Sequence, residues 1–473
     1  MNWGLLWVIL ILFLLPDRTA AQYGYEWIDF SQVYYKIPVA RDGIYRITYN
    51  DLLNAGFPVN NADPRRIQLF HRGVEQGIHV EGESDARFDA ADFIEFYGRK
   101  NDGNSDTPLY RPAEAQPHRY YNLFNDTTAY FLTVNNQVVA GKRMPRTWEV
   151  NVSGLPAEAF HLDEKLLVQT QEGSQGAAYF QYVRNTFFDV GEGWTGQVTS
   201  QNQSIDYTLN ALVLGAPAGG TPQLDMLVAG RADIASPHRV EIYAGPSSGS
   251  VRLITTRDIE RFNVERIEEP LNWTDIGADG RLVVRMRVLA TGTSARASVS
   301  YIRVIYPQQL NAAAASEKYF LLRVNPGGKS FVPIQNPPAN ARLYDITDDA
   351  HVIWYVPPGS SFNPVISGTT IPRKLLLTNT FLPVPSIKRV NFRPLIPSQH
   401  NYIIISHRQL MKPAGNYSDA VKAYAGYRVS SAGGSYDTLV MEIHQLYNQL
   451  NYGEISPLAI HRFMKFMVDG GNP

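Results

Sequence analysis

Two uninterrupted apolar runs, Tyr402–Ser406 and Thr438–Ile443, constrain the fold more than any other feature of the chain. A strand that alternates apolar and polar residues can leave one face in water, whereas a continuous run has to be covered on both faces. Between the runs, Val421, Tyr424, Ala425 and Arg428 recur at helical spacing, with Ser418 placed to cap the helix and Gly433-Gly434 to break it. After the second run, His444–Leu450 reads as a short helix and Asn451-Tyr452-Gly453 as a turn. Ser456 and Pro457 open another helix, on which Ile460, Phe463, Met464 and Met467 form the expected buried stripe. Strand, helix, strand, helix makes a parallel βαβ unit with a right-handed crossover. Two parallel strands cannot cover their own faces, so residues 398–473 are expected to begin a larger α/β domain that continues past Pro473.

Upstream the grammar is that of short strands and turns. Tyr34–Val39 and Ile44–Tyr49 flank Arg41-Asp42-Gly43, and Asp-Gly between two such runs predicts a hairpin. Asp51–Ala55 reads as one helical turn stopped by Gly56 and Pro58. Strand character returns at Ile67–Phe70, Phe93–Tyr97 and Tyr130–Val134, then at Val240–Tyr243, Val283–Val288 and Val299–Tyr306. In the last of these, strict alternation puts Val299, Tyr301, Arg303 and Ile305 on one face and Ser300, Ile302, Val304 and Tyr306 on the other. An aromatic content of 12%, with 30 Pro and 36 Gly, suits strands joined by tight turns. The expected fold class is therefore mainly β, with N-terminal β-sandwich or jelly-roll-like domains followed by a βαβα part. The divisions are residues 22–150, an N-terminal β domain; 151–309, a β-sandwich domain; 310–397, a β-rich connecting region; and 398–473, the α/β start.

The N-terminus addresses the compartment. Trp3–Leu15 is a short apolar run, and Thr19-Ala20-Ala21 offers the small residues that a signal peptidase reads. Residues 1–21 are expected to be a cleaved signal peptide, because the run is short for a membrane span of roughly 20 residues. The expected location is outside the cytoplasm, in the periplasm, the outer membrane or at the cell surface, with no transmembrane helix in the mature chain. A net charge of −1 gives no electrostatic ground for a nucleic-acid partner. The absence of cysteine rules out disulfides, thiolate metal sites and a thiol nucleophile in these residues.

Asn401–His407, Ala420–Arg428, Asp437–Ile443, Gln445–Gly453 and Ser456–Phe466 are similar to the start of the gingipain-type cysteine peptidase domain. The Tyr452-Gly453 turn followed by Ser456-Pro457 and Ala459-Ile460 carries most of that specificity. Asp42–Tyr49, Asp92–Gly98 and Gly191–Trp194 resemble the β-rich region that precedes this domain in the sortase-like proteins of type IX secretion. The resemblance implies a caspase-like fold for the α/β part, in which a His-Gly pair ends one strand and a Cys the next. It also implies protein or peptide substrates, with other type IX secretion components as further partners. This chain has neither a Cys nor a His-Gly pair, so no catalytic residue is carried over.

The residues themselves offer weak sites. His407 follows the first parallel strand, where α/β sheets place ligands, and is expected to be structural. His444 and His461 lack a partner at metal-ligand spacing and read as surface or boundary residues. Glu83, Asp85, Asp89 and Asp92 miss the spacing of a calcium loop and read as turn residues. Trp194 is expected to pack on its own sheet, and Gly215–Gly220 lacks the ending of a phosphate loop. No catalytic, cofactor-binding or metal-binding residue is therefore assigned, and no cofactor. The expected function is the N-terminal portion of a secreted gingipain-like cysteine peptidase, with sortase-like processing as its finer form and without activity as this chain alone. The alternative is a non-enzymatic cell-surface protein whose β domains bind partners or glycans.

Overall fold

The computed structural model describes residues 23–137, 139–177, 185–292, 294–359 and 361–471, so the expected signal segment lies outside the described residues. Two compact units emerge. One is Gln32–Arg389, and the other joins the described residues up to Ser31 with those from Val390 onward.

The larger unit begins with β1 (Tyr34–Val39), β2 (Gly43–Thr48), β3 (Ile67–His71), β4 (Phe93–Gly98) and β5 (Thr128–Val134). Both strands of the expected hairpin form, but they do not pair with each other. β1 lies antiparallel to β5, with Ile37 opposite Tyr130, whereas β2 lies antiparallel to β4, with Tyr45 opposite Phe96. Arg41-Asp42-Gly43 is a corner between two sheets. Asp42 Oδ1 accepts the Lys100 N–H at 2.8 Å, which ties the corner to the chain leaving β4. Packing overrides the local turn signal because Ile37 and Val39 of one sheet and Tyr45 and Ile47 of the other fill one core. Behind β2, α1 (Tyr49–Asn54) is held by a capping box between Thr48 and Asp51.

The next part is a sandwich built from β6 (His161–Val168), β7 (Ser204–Leu209), β8 (Gln223–Gly230), β9 (His238–Ser247), β10 (Leu282–Val288) and β11 (Arg296–Gln308). β7, β10 and β9 neighbour one another in one sheet, and β8, β11 and β6 in the other. Their apolar faces share a core that includes Met226, Val240, Ile242, Met286 and Val304. β11 departs from strict alternation. Leu227 pairs with Tyr301 and Val228 with Val299, so Ser300 is an extra residue in a bulge. The bulge shifts the phase and brings Val299 into the same core as Ile302, Val304 and Tyr306. Beyond β6 the sheet continues through Glu317–Leu322, Arg373–Thr378 and Arg342–Asp345, over a core around Phe320, Leu343 and Leu375.

In the smaller unit, β12 (Tyr402–Ser406) and β13 (Thr438–Glu442) run parallel and in register, from Tyr402 opposite Thr438 to Ser406 opposite Glu442. α2 (Ala420–Val429) makes the crossover, and α3 (Ile443–Leu450) and α4 (Leu458–Gly470) follow β13. Asp419, not Ser418, caps α2, its Oδ1 accepting the Val421 and Lys422 N–H groups. Ile403, Ile405, Leu439 and Met441 face Leu446, Leu450, Ala459, Phe463 and Met467. On α4 the buried line is Ala459, Phe463 and Met467, while Ile460 and Met464 are 37% and 39% exposed. The latter two stand one residue, about 100°, further round the helix from that line. β12 is also less covered than expected, with Tyr402 to Ile405 each half-buried, because β13 is its one strand neighbour among the described residues.

Residues 23–31 belong to this unit, although Val390 follows Ser31 by 359 residues in sequence. Tyr23 and Tyr25 pack edge-on against Phe466 with ring centroids 5.3 and 5.2 Å apart, and the Tyr23 hydroxyl donates to Asp469 Oδ2 at 2.8 Å. Gly24 has φ +92°, and a Cβ there would stand 2.6 Å from the Leu450 carbonyl oxygen.

Candidate functional site

Parallel, in-register strands put the residues that follow them side by side at the carboxyl edge of the sheet. With Ser406 opposite Glu442, His407 comes next to the β13–α3 junction. Glu442 ends its strand and caps α3, its Oε2 accepting the His444 N–H at 3.1 Å. Its other oxygen, Oε1, is 2.7 Å from His444 Nδ1. The His407 and His444 rings are 5.3 Å apart between centroids, and one ligand atom from each of His407, Glu442 and His444 lies within 4.8 Å of the others. Tyr447, one turn along α3, packs edge-on against the His444 ring at 5.7 Å.

The electrostatics favour an ionised carboxylate. Burial pushes the Glu442 carboxyl up, but the hydrogen bonds from His444 and the nearby Arg408 outweigh it, so the net shift is downward. Arg408 Nε is 3.9 Å from Glu442 Oε1, and its side chain is 63% exposed. Such a set can orient an imidazole or hold a cation, and it contains no nucleophile.

His444 is a boundary residue with a side chain 34% exposed, and it has a partner two residues before it and another across the strand pair. The signal was legible as a residue pattern. A His directly after the first parallel strand and a Glu-x-His that begins on the last residue of the second converge once the register is known. His461 is exposed on α4. Glu83 pairs with Arg143 at 2.8 Å, and Asp85 and Asp92 accept the backbone N–H groups of Arg87 and Asp89. The Trp194 indole donates to the Leu123 carbonyl at 3.1 Å. At Gly215 a side chain would strike the Trp273 ring. A cavity of about 710 Å³ in the larger unit is lined by both signs of charge. There Lys165 and Lys318 pair with Asp163, and Arg41 with Glu317. Its lining carries five basic and four acidic side chains, and most of them are paired with one another.

Residues 396–473 match the model of Peptidase family C25. A comparison with curated proteins found no match. Among solved structures, the chain is similar in fold to the crystal structure of dimeric latent PorU from Porphyromonas gingivalis, with a TM-score of 0.61 and 16% identity. That similarity covers 93% of this chain and 40% of PorU, so the chain spans less than half of PorU's length. The CBM36-1 domain of a multidomain xylanase from the hindgut metagenome of Trinervitermes trinervoides matches at 16% identity and a TM-score of 0.18, covering 30% of this chain and 96% of the domain.

Proposed function

We propose that this chain is the N-terminal portion of a secreted gingipain-like cysteine peptidase, with processing of exported proteins in the manner of a type IX secretion sortase as its role. The observation that carries the reading is the match of residues 396–473 to Peptidase family C25. The β-rich region and its fold likeness to PorU support it. The apolar run and small residues at the N-terminus support export. No helix among the described residues is long and apolar enough to cross a membrane. In this reading the β domains support the peptidase, while β12, β13 and their helices begin its sheet. A thiolate attacks the peptide carbonyl and a histidine moves the proton. Neither group is assigned among these residues, because this chain has no Cys and no His-Gly pair.

The test compares this chain with the product of the continuing reading frame on a mixed peptide library. The 473-residue chain is expected to give no turnover and no labelling by thiol-directed inhibitors. The longer product is expected to give both, and to lose them when its cysteine is replaced by alanine. Turnover by the shorter chain, or a continuation without a Cys and a His-Gly strand end, overturns the reading.

A further inference from the structure

We propose that His407, Glu442 and His444 form a binding site for a divalent transition-metal ion. The proposal stands on these side chains and is independent of the peptidase reading. Two imidazoles and one carboxylate make a mixed nitrogen and oxygen donor set, which selects zinc, cobalt, nickel or copper over calcium and magnesium, whose sites are built from oxygen.

The geometry is close to what such an ion requires. Tetrahedral zinc holds its nitrogen and oxygen ligands at about 2.0–2.2 Å, which places neighbouring donors about 3.3 Å apart. Glu442 Oε1 and His444 Nδ1 are 2.7 Å apart and need only open slightly. All three donors lie within 4.8 Å, so His407 has to close by about 1.5 Å at most to reach the spacing of a zinc site. His407 Nδ1 accepts the Gln409 N–H at 3.2 Å, so the half-buried ring has to turn to offer Nε2 or give up that bond. The metal takes the place of the proton shared between Glu442 and His444.

The surroundings restrain these ligands. Glu442 is held by the His444 N–H on its second oxygen, and the register of β12 and β13 fixes the distance between His407 and Glu442. Outer hydrogen bonds of this kind orient ligands and tighten metal sites. Two features oppose a cation, the positive end of α3 and the Arg408 guanidinium. Arg408 makes one 3.9 Å contact from an exposed side chain, so it can swing into solvent. With three protein ligands, a fourth position stays open to water or an external donor, as in sites that do more than brace a fold.

The experiment uses the 473-residue chain, stripped with a chelator and titrated with Co²⁺ while its visible d–d absorption is followed. Zn²⁺ affinity is then measured by competition with a chromophoric chelator. One equivalent of Co²⁺ is expected, displaced by Zn²⁺. His407→Ala, Glu442→Gln and His444→Ala are each expected to weaken zinc binding by at least the about 10–100-fold that loss of an outer partner costs. His461→Ala, on an exposed helix position, is expected to leave it unchanged. Glu442→Gln keeps an oxygen to cap α3, so it decides the matter if His444→Ala does not fold. Binding that survives all three substitutions, or the absence of a single saturable equivalent, overturns the site. A peptidase assay that fails leaves this result untouched, and a failed titration leaves the peptidase reading untouched.

Discussion

Glu95 is a carboxylate with 1% exposure, gripped between Arg46 at 2.5 Å and Arg342 at 2.6 Å. The guanidiniums themselves stack on rings, Arg46 over Phe93 at 4.1 Å and Arg342 over Trp354 at 4.5 Å. A buried charge is tolerable only with such partners, and removing one member leaves the others uncompensated. Glu95→Ala is expected to lower stability by about 3 kcal/mol, the lower end of the usual range, because both arginines keep some solvent contact. Glu268→Ala breaks an ion pair whose glutamate is 64% exposed and is expected to change stability by under about 0.5 kcal/mol. Denaturant titration of the two variants checks the contrast, and equal losses would show that the Glu95 cluster carries no special weight.

At the scale of elements, the N-terminal segment and α4 depend on each other. α4 buries Phe463 and Met467 inward, while Phe466 on its flank is covered by Tyr23 and Tyr25. Gly24 lets the segment pass the end of α3 in a conformation and at a distance that a side chain forbids. Gly24→Ala is expected to cost about 1–3 kcal/mol in backbone strain. Phe466→Ala is expected to cost about 2 kcal/mol, below the value for a fully buried ring because it is half-buried. Hydrogen exchange should report both as faster exchange in Leu458–Gly470, with the strands of the larger unit unchanged. Unaltered protection in α4 would mean that the segment rests on the unit without bracing it.

At the scale of the whole molecule, stability is coupled to pH through three histidines in the larger unit, the buried His71 and His161 and the half-buried His118. Burial lowers His71 to about 3, with Arg72 and Arg99 adding to it. Burial alone lowers His118 to about 4, and burial together with Lys318 lowers His161 to about 4. Each ring is neutral in the folded chain, whereas the unfolded chain binds a proton below a pKa of about 6.5. Their contribution is therefore complete above that pH and is lost as pH falls from about 6.5 towards 4, at up to about 1.4 kcal/mol per unit and per histidine. Denaturation midpoints should hold steady from pH 8 to 7 and fall steeply by pH 5. His118→Phe is expected to flatten that slope by about one histidine's share. A midpoint that stays level through pH 5 would show that these rings find protons in the folded state.

The sequence by itself determined the order of architectures, β-rich and then βαβα, because period-2 alternation and continuous apolar runs are local properties of the chain. It also carried the resemblance of residues after Asn401 to a peptidase family, which the match over residues 396–473 supports. It determined the absence of a thiol nucleophile outright. Pairing was decided only in three dimensions. Asp42-Gly43 has the chemistry of a hairpin, yet β1 and β2 go to different sheets because the core between them is worth more than one turn. The bulge at Ser300 reversed the face of Val299, since a single extra residue changes the phase of a strand. The contact of Tyr23 and Tyr25 with Phe466 joins residues whose separation along the chain hides them, and the meeting of His407 with Glu442 and His444 needs the register of two strands besides their pattern. Long-range contacts of this kind depend on strand register and helix phase together, and no local window of sequence contains both.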